Sequence, residues 1–207
     1  MELGTDLTQC ARVVADGGVV VIATDTLYGL AANIHCAHAV GRVLAIKGRE
    51  AGRGVPVLAR DTVQVAEVSV FTDNAKLLGD VFWPGGLTMV LPTVGSVDRR
   101  LQGEGSTVGI RVPDSEIVRH IIDVVGAPLT GTSANLAGEP PPATARAAAD
   151  MLGDAVDYVL DTAVGTAVAS TIIDLRQKPP VVIREGVITM AELRALVPEV
   201  CMAAYEV

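Results

Sequence analysis

The chain has 207 residues, the length of one ordinary or slightly large domain, and half of them are apolar, ample for a packed core. Aromatic residues make up only 3%, so that core must be aliphatic, with helices close against a sheet. A formal net charge of -8 argues against a protein whose main task is to coat nucleic acid, yet leaves room for a local basic pocket built from a few clustered Lys and Arg.

Along the chain, Leu7, Cys10, Ala11 and Val14 recur at helical spacing, with Thr5 or Asp6 able to cap the start and Gly17 the end. Val19 to Ala23 is a continuous apolar run, the pattern of a strand covered on both faces. Val40, Val43, Leu44 and Lys47 outline a second helix stopped by Gly48. Gly52 to Gly54 reads as a loop, Val55 to Ala59 as a strand, and Ala75, Leu78, Val81 and Phe82 as a helix broken by Trp83-Pro84-Gly85-Gly86. Leu87 to Leu91 and Val108 to Val112 read as strands, Ile117, Ile121, Val124 and Val125 as a helix stripe, and Ala127 to Thr132 as a short strand entering the turn Ser133-Ala134-Asn135. Pro140-Pro141-Pro142 is a rigid loop before a helix at about residues 144–152, with Thr144 as its cap. Tyr158 to Asp161, Thr171 to Leu175 and Val181 to Arg184 look like strands, and Thr189 with Glu192 forms a capping box that opens the last helix. Helices and strands mix throughout, so the class is α/β, and consecutive strands near the C-terminus suggest antiparallel pairs. No repeat, low-complexity tract or dividing linker interrupts residues 1–207, which read as a single domain.

Three widely spaced cysteines, Cys10, Cys36 and Cys201, imply no disulfide framework and suit a reducing compartment. The N-terminus lacks a basic-then-apolar signal, and the apolar runs fall far short of the ~20 residues that span a bilayer. The expectation is a cytoplasmic protein with no membrane partner.

Candidate chemistry gathers where polar residues interrupt apolar segments. Thr24-Asp25-Thr26-Leu27-Tyr28-Gly29 follows the apolar run directly and offers hydroxyls, a carboxylate and a phenol within one turn. It reads either as a holder for a small polar substrate or as a hydrogen-bonded strand-to-helix turn. Lys47 and Arg49 flank Gly48 at a helix end, where they serve the helix dipole or bind phosphate, Lys as a point charge and Arg as a fork. Residues 103–111 form a Gly-rich loop, containing Thr107, that runs into a strand; no helix follows, so it is neither a Walker A motif nor a dinucleotide fingerprint. Arg111 interrupts the apolar strand Val108 to Val112, so it either reaches a carboxylate ligand or pairs internally with Asp25 or Asp174. Gly131-Thr132-Ser133-Ala134-Asn135 lets a ligand approach the backbone or is a simple turn. Ser170 stands at a strand start and Arg184 at a strand end, the latter also consistent with an exposed salt bridge. His35, Cys36 and His38 lack a fourth ligand at a suitable spacing, so no metal site is expected. His120 has no evident nucleophile partner.

The order of these motifs is more specific than any one of them. Thr-Asp-Thr-Leu-Tyr-Gly, Lys-Gly-Arg, Trp-Pro-Gly-Gly-Leu-Thr, Val-Gly-Ile-Arg-Val-Pro, Thr-Ser-Ala-Asn-Leu-Ala-Gly, Ser-Thr-Ile-Ile-Asp and Arg-Glu-Gly resemble the successive signatures of the YrdC/TsaC family over about residues 10–195. The resemblance implies a YrdC-like α/β fold: a single-domain twisted mixed sheet with flanking helices around a large, positively lined cavity, in the family's short form. It implies an L-threonylcarbamoyladenylate synthase, a nucleotidyltransferase that makes threonylcarbamoyl-AMP and pyrophosphate from L-threonine, bicarbonate and ATP for tRNA t6A37 modification. Hand-over to a tRNA threonylcarbamoyl-transferase complex would follow. Carried over motif by motif, Lys47 and Arg49 would bind ATP phosphates and carry the catalysis, and Thr107, Ser133 and Arg184 would contact the nucleotide. Thr26, Arg111, Gly131 and Ser170 would hold threonine, with Arg111 on its carboxylate. Mg2+ would accompany ATP, held mostly by water and phosphate oxygens. The chain departs from the family pattern at Glu50, where relatives often have Pro, in a slightly longer loop from Glu50 to Val55, and at Pro141, where a Ser is common. The alternative function is a double-stranded RNA-binding or ribosome-assembly module of the same fold.

Overall fold

The computed structural model describes residues 1–48, 54–95 and 97–203. Strand β1 (Glu2–Gly4) leads into helix α1 (Leu7–Ala15), and Asp6 rather than Thr5 caps that helix, accepting from the Gln9 amide at 3.0 Å. Strands β2 (Val20–Ala23) and β3 (Tyr28–Ala31) follow, then helix α2 (Ala37–Ile46), which stops ahead of Gly48 at φ 54°. Next come β4 (Val57–Leu58), α3 (Thr62–Val68), α4 (Asp73–Phe82), β5 (Leu87–Pro92) and β6 (Thr107–Arg111). Helix α5 (Glu116–Val125) leads to β7 (Leu129–Thr130) and β8 (Thr132–Ser133), then α6 (Ala145–Leu152), capped by Thr144, and β9 (Tyr158–Leu160). The chain continues through β10 (Thr171–Asp174), β11 (Val181–Arg184), α7 (Met190–Leu196) with the expected Thr189–Glu192 capping box, and β12 (Cys201–Met202). No helix among the described residues is long and apolar enough to cross a membrane.

Two mixed sheets result. One has five strands in the order β1-β9-β2-β3-β8, the other seven in the order β12-β11-β10-β5-β6-β4-β7. The adjacent pair β10/β11 is antiparallel, as the run of C-terminal strands implied. Where one short strand was expected over Ala127 to Thr132, there are two, and Gly131 between them is where the chain leaves one sheet for the other. A Cβ there would lie 2.5 Å from Leu58 Cγ, so the crossing requires a residue with no side chain.

A second difference concerns the residues after β2. They form a β-hairpin, not a strand-to-helix turn: β3 pairs antiparallel with β2, placing Ala23 opposite Tyr28. Thr24 closes the turn, its Oγ1 accepting from the Thr26 and Leu27 amides at 3.1 and 3.2 Å and donating to Leu27 O at 2.8 Å. All four residues of β3 are buried, and this burial outweighs the weak strand pattern of a segment containing Gly29. Helix α3 and strands β1 and β12 carried no readable period, since they span only seven, three and two residues.

Burial follows a period of two along the strands. Val19, Val21 and Ala23 pack with Val43, Ala148 and Leu152, while Val20 and Ile22 pack with Cys10, Val14, Ile121 and Ile122, so β2 is covered on both faces. On β5 and β6, Leu87, Met89, Leu91, Val108 and Ile110 enter a third cluster with Val65, Leu78 and Leu193. The alternate positions Thr88, Val90, Thr107, Gly109 and Arg111 face the other way, and there they line a cavity.

Candidate active site

That cavity has a volume of about 420 Å³. Its walls come from the hairpin turn (Thr24, Thr26), from β5, β6 and β10, from the Gly131–Ser133 crossing, and from Arg184 at the end of β11. Six residues singled out in the sequence meet on it: Thr26, Thr107, Arg111, Gly131, Ser133 and Ser170. Arg184 makes a seventh.

Arg111 is the electrostatic centre. It is 4% exposed, and its Nη1 donates to Thr26 Oγ1 at 2.8 Å while Nη2 pairs with Asp25 Oδ1 at 2.7 Å. Of the two internal partners considered for it, the structure selects Asp25; Asp174 instead pairs with Arg176 at 2.7 Å. Arg111 Nε is buried and has no hydrogen-bond partner. Burial pulls the Arg111 pKa below the ordinary guanidinium value, Asp25 opposes this, and nearby Arg184 adds to it. A guanidinium remains cationic at neutral pH regardless, so the pull describes a charge short of compensation.

Ser170 and Arg184 form the neighbouring wall. Arg184 donates to Ser170 O from Nε at 3.1 Å and from Nη2 at 2.8 Å, and Ser170 Oγ lies 3.0 Å from Thr88 Oγ1. Desolvation lowers the Arg184 pKa as well. No salt bridge joins Arg184 to Glu185 among the described residues. Thr107 is 3% exposed and donates its hydroxyl to Glu104 O at 3.0 Å. Gly131 gives its amide to Pro56 O at 2.7 Å, so it lines the cavity without offering that N–H to a ligand.

Lys47 is placed differently. It is 6% exposed, and its Nζ donates to Ser133 O at 3.0 Å, Asn135 O at 2.7 Å and Asn135 Oδ1 at 2.9 Å. It does not line the cavity itself but grips the turn that carries Ser133. Asn135 completes the grip, accepting from Ser133 Oγ and donating to Leu136 O at 3.0 Å and Glu139 O at 2.6 Å. Arg49, and residues 50–53 of the longer loop, lie outside the described residues; Gly54 and Pro141 line the cavity.

Sequence reasoning missed Thr88, Ile172, Arg176 and Ile183 on the walls. Thr88 had a signal, being the polar residue between Leu87 and Met89 in a strand whose other face is core. Arg176 had none, since it lies in a turn beyond β10 with no pattern around it.

Chemically, the arrangement is an anion pocket. Arg111 on β6, Arg184 at the end of β11 and Arg176 beyond β10 line it, with the hydroxyl-bearing residues Thr26, Thr88 and Ser170 among their neighbours on the wall, which suits a carboxylate and phosphates held together. A sequence model for Sua5, YciO and YrdC, described as telomere recombination, matches residues 12–186. The chain belongs to this Sua5/YciO/YrdC family. It is 33% identical over 195 residues to the threonylcarbamoyl-AMP synthase of Pyrococcus abyssi, covering 92% of this chain and 56% of that protein. Over 202 residues it is 32% identical to the threonylcarbamoyl-AMP synthase of Bacillus subtilis, covering 95% of this chain and 58% of that one. The chain thus spans little more than half the length of these relatives. The structure of P. abyssi Sua5 complexed with L-threonine superimposes with a TM-score of 0.92 at 29% identity, covering 98% of this chain and 62% of that one. The YrdC-like fold expected from the motifs is therefore present.

Proposed function

We propose that this chain is an L-threonylcarbamoyladenylate synthase, a nucleotidyltransferase of the cytoplasm acting on L-threonine, bicarbonate and ATP for tRNA t6A modification. The observation that carries this reading is the wall around Arg111: a buried guanidinium lines the cavity together with Thr26, Gly131, Ser170 and a second arginine, Arg184. With Nη1 on Thr26 and Nη2 on Asp25, each Nη keeps a second hydrogen that a carboxylate in the cavity would accept, while the enclosed Nε–H would be reached only after the side chain shifts. Thr26, Ser170 and Gly131 border the same space, the right size of neighbourhood for threonine. Arg184 and Thr107 would meet the nucleotide, and Lys47 would act on it through Ser133. Arg49 remains a proposed phosphate ligand.

The threonine amine attacks the carbon of bicarbonate, water leaves, and a carbamate forms. A carbamate oxygen then attacks the α-phosphorus of ATP, and the bond to pyrophosphate breaks. Both partners are anions, so the protein's task is to hold them together against repulsion, which cations do and a strong base does not. Mg2+ would enter with the nucleotide. The cavity walls offer hydroxyls, carbonyls, arginines and one carboxylate, Glu104, and no group of three His, Cys, Asp or Glu stands together among the described residues, so phosphate oxygens and water would supply most of the ion's ligands. The product would pass to a tRNA threonylcarbamoyl-transferase complex.

The test is pyrophosphate release measured with ATP, L-threonine and bicarbonate, each omitted in turn. Release that needs all three supports the reading; equal release without threonine or without bicarbonate refutes it.

A further inference from the structure

Arg176 lines the cavity, yet it belongs to none of the motifs, and each of its three guanidinium nitrogens already makes a hydrogen bond on the wall. Nε and Nη2 meet Asp174 Oδ1 and Oδ2 at 2.9 and 2.7 Å, a two-pronged contact to a carboxylate that is 1% exposed within β10. Nη1 reaches across the cavity edge to Glu104 O at 3.0 Å. The same carbonyl accepts the Thr107 hydroxyl at 3.0 Å. Arg176 thus joins an inner strand of the seven-stranded sheet to the loop that precedes β6.

That loop holds an unusual backbone. Gly105 has φ 67°, and the next residue, Ser106, has φ 54° although it is not glycine. A non-glycine residue there is strained and persists where the surroundings over-determine it. The surroundings are visible: Gly103 N donates to Thr107 O at 2.9 Å, Thr93 holds Ser106 O from its amide and hydroxyl at 2.9 and 3.0 Å, and Arg176 holds Glu104 O. A Cβ at Gly105 would come 3.2 Å from Arg176 Nη1, so the guanidinium lies close against the loop. Asp174 fixes the arginine in turn. Burial works to raise the Asp174 pKa, but the bonds from Arg176 prevail and hold it below the usual carboxylate range. The clamp is charged at both ends under all physiological conditions.

We propose that Arg176 is a positioning residue for nucleotide binding: it clamps the Gly103–Thr107 loop to β10, fixing the wall from which Thr107 meets ATP. This rests on the reading of the cavity as an ATP site. The contacts that fix its position run to Asp174 and to Glu104 O, so its action is through the loop; one hydrogen on each Nη remains, and the double variant separates the clamp from direct phosphate contact.

The experiment compares wild type, Arg176→Ala, Thr107→Val and the double variant by calorimetric ATP titration and threonine-dependent turnover, with amide exchange read at residues 103–107. Arg176→Ala should weaken ATP binding about tenfold, as for a lost charge-assisted hydrogen bond, leave the threonine KM within about twofold and speed exchange at Gly103. Adding Thr107→Val should then cost little more, since both changes act through one loop. Unchanged ATP affinity in folded Arg176→Ala overturns the proposal, and so do fully additive losses, which would make Arg176 a direct ligand. Arg176→Lys guards against a folding artefact: an ammonium cannot reproduce the two-pronged contact, so it should retain the fold but show a partial ATP defect, and wild-type affinity in it counts against the clamp. A wild type that binds no ATP would instead defeat the underlying site reading, whatever the variants do.

Discussion

Arg111 and Lys47 are both buried cations, 4% and 6% exposed, yet they stand in opposite situations. Lys47 sits behind the cavity wall, where its Nζ meets three oxygens of the Ser133–Asn135 turn. Arg111 sits on the wall, where Asp25 and Thr26 engage two nitrogens and the third is left with no acceptor. Burial and charge alone do not distinguish the two. Position does: Arg111 borders the cavity, whereas Lys47 is not among the described residues that line it.

This contrast can be broken at several points. The largest effect is expected from Arg111→Lys. An ammonium keeps the ion pair to Asp25 but cannot present the fork, so threonine-dependent turnover should fall about a hundredfold while ATP affinity changes less than about threefold. Loss of melting temperature with threonine dependence intact would make Arg111 another scaffold cation and erase the difference. Next comes Lys47→Ala, which leaves three buried oxygens without their donor. Stability should fall by about 2 kcal/mol and ATP binding should weaken about tenfold through the displaced Ser133, read by urea midpoint and calorimetry. An ATP defect with no loss of stability would mean that Lys47 meets phosphate directly.

Smaller effects test the frame around the two cations. Gly131→Ala would push a methyl to 2.5 Å from Leu58 Cγ, so a loss of about 1–3 kcal/mol is expected from the crowded crossing. A denaturation midpoint equal to wild type would show that Leu58 yields freely. The smallest effect concerns pH. Asp174 titrates below its ordinary range in the fold, so its contribution is complete above the unfolded value of about 3.9 and is lost as pH falls through the lower folded value. Between pH 7 and pH 5 this pair should contribute no slope, and below about pH 4 wild type should lose stability faster than Arg176→Ala. Parallel acid curves for the two proteins would contradict the clamp.

The sequence made the site legible where strand alternation was clean. Arg111 stood out because Val108, Ile110 and Val112 are apolar around it, and those neighbours do enter or border the core. The hairpin at Thr24–Gly29 was not legible, because its turn is closed by one threonine side chain and β3 is only four residues long. The split at Gly131 escaped notice because a change of sheet leaves no mark on hydrophobic periodicity; only the packing of Leu58 reveals it. Asp25 was one of two partners considered for Arg111, and sequence distance could not choose between them, since both lie far from it along the chain. Arg176 depended entirely on tertiary contact with Glu104 O, which is 72 residues away.

The central claim is the proposed role of Arg111 as the residue that receives the threonine carboxylate. Arginine side-chain NMR on the folded protein tests it most directly, with the Arg111 Nε signal assigned by its disappearance in Arg111→Lys. Titrating L-threonine should shift that signal and slow its hydrogen exchange, with half-saturation at the threonine concentration that half-saturates turnover, while threoninol, which lacks the carboxylate, should leave it in place. An Arg111 Nε signal unmoved at threonine concentrations that saturate turnover would contradict the account.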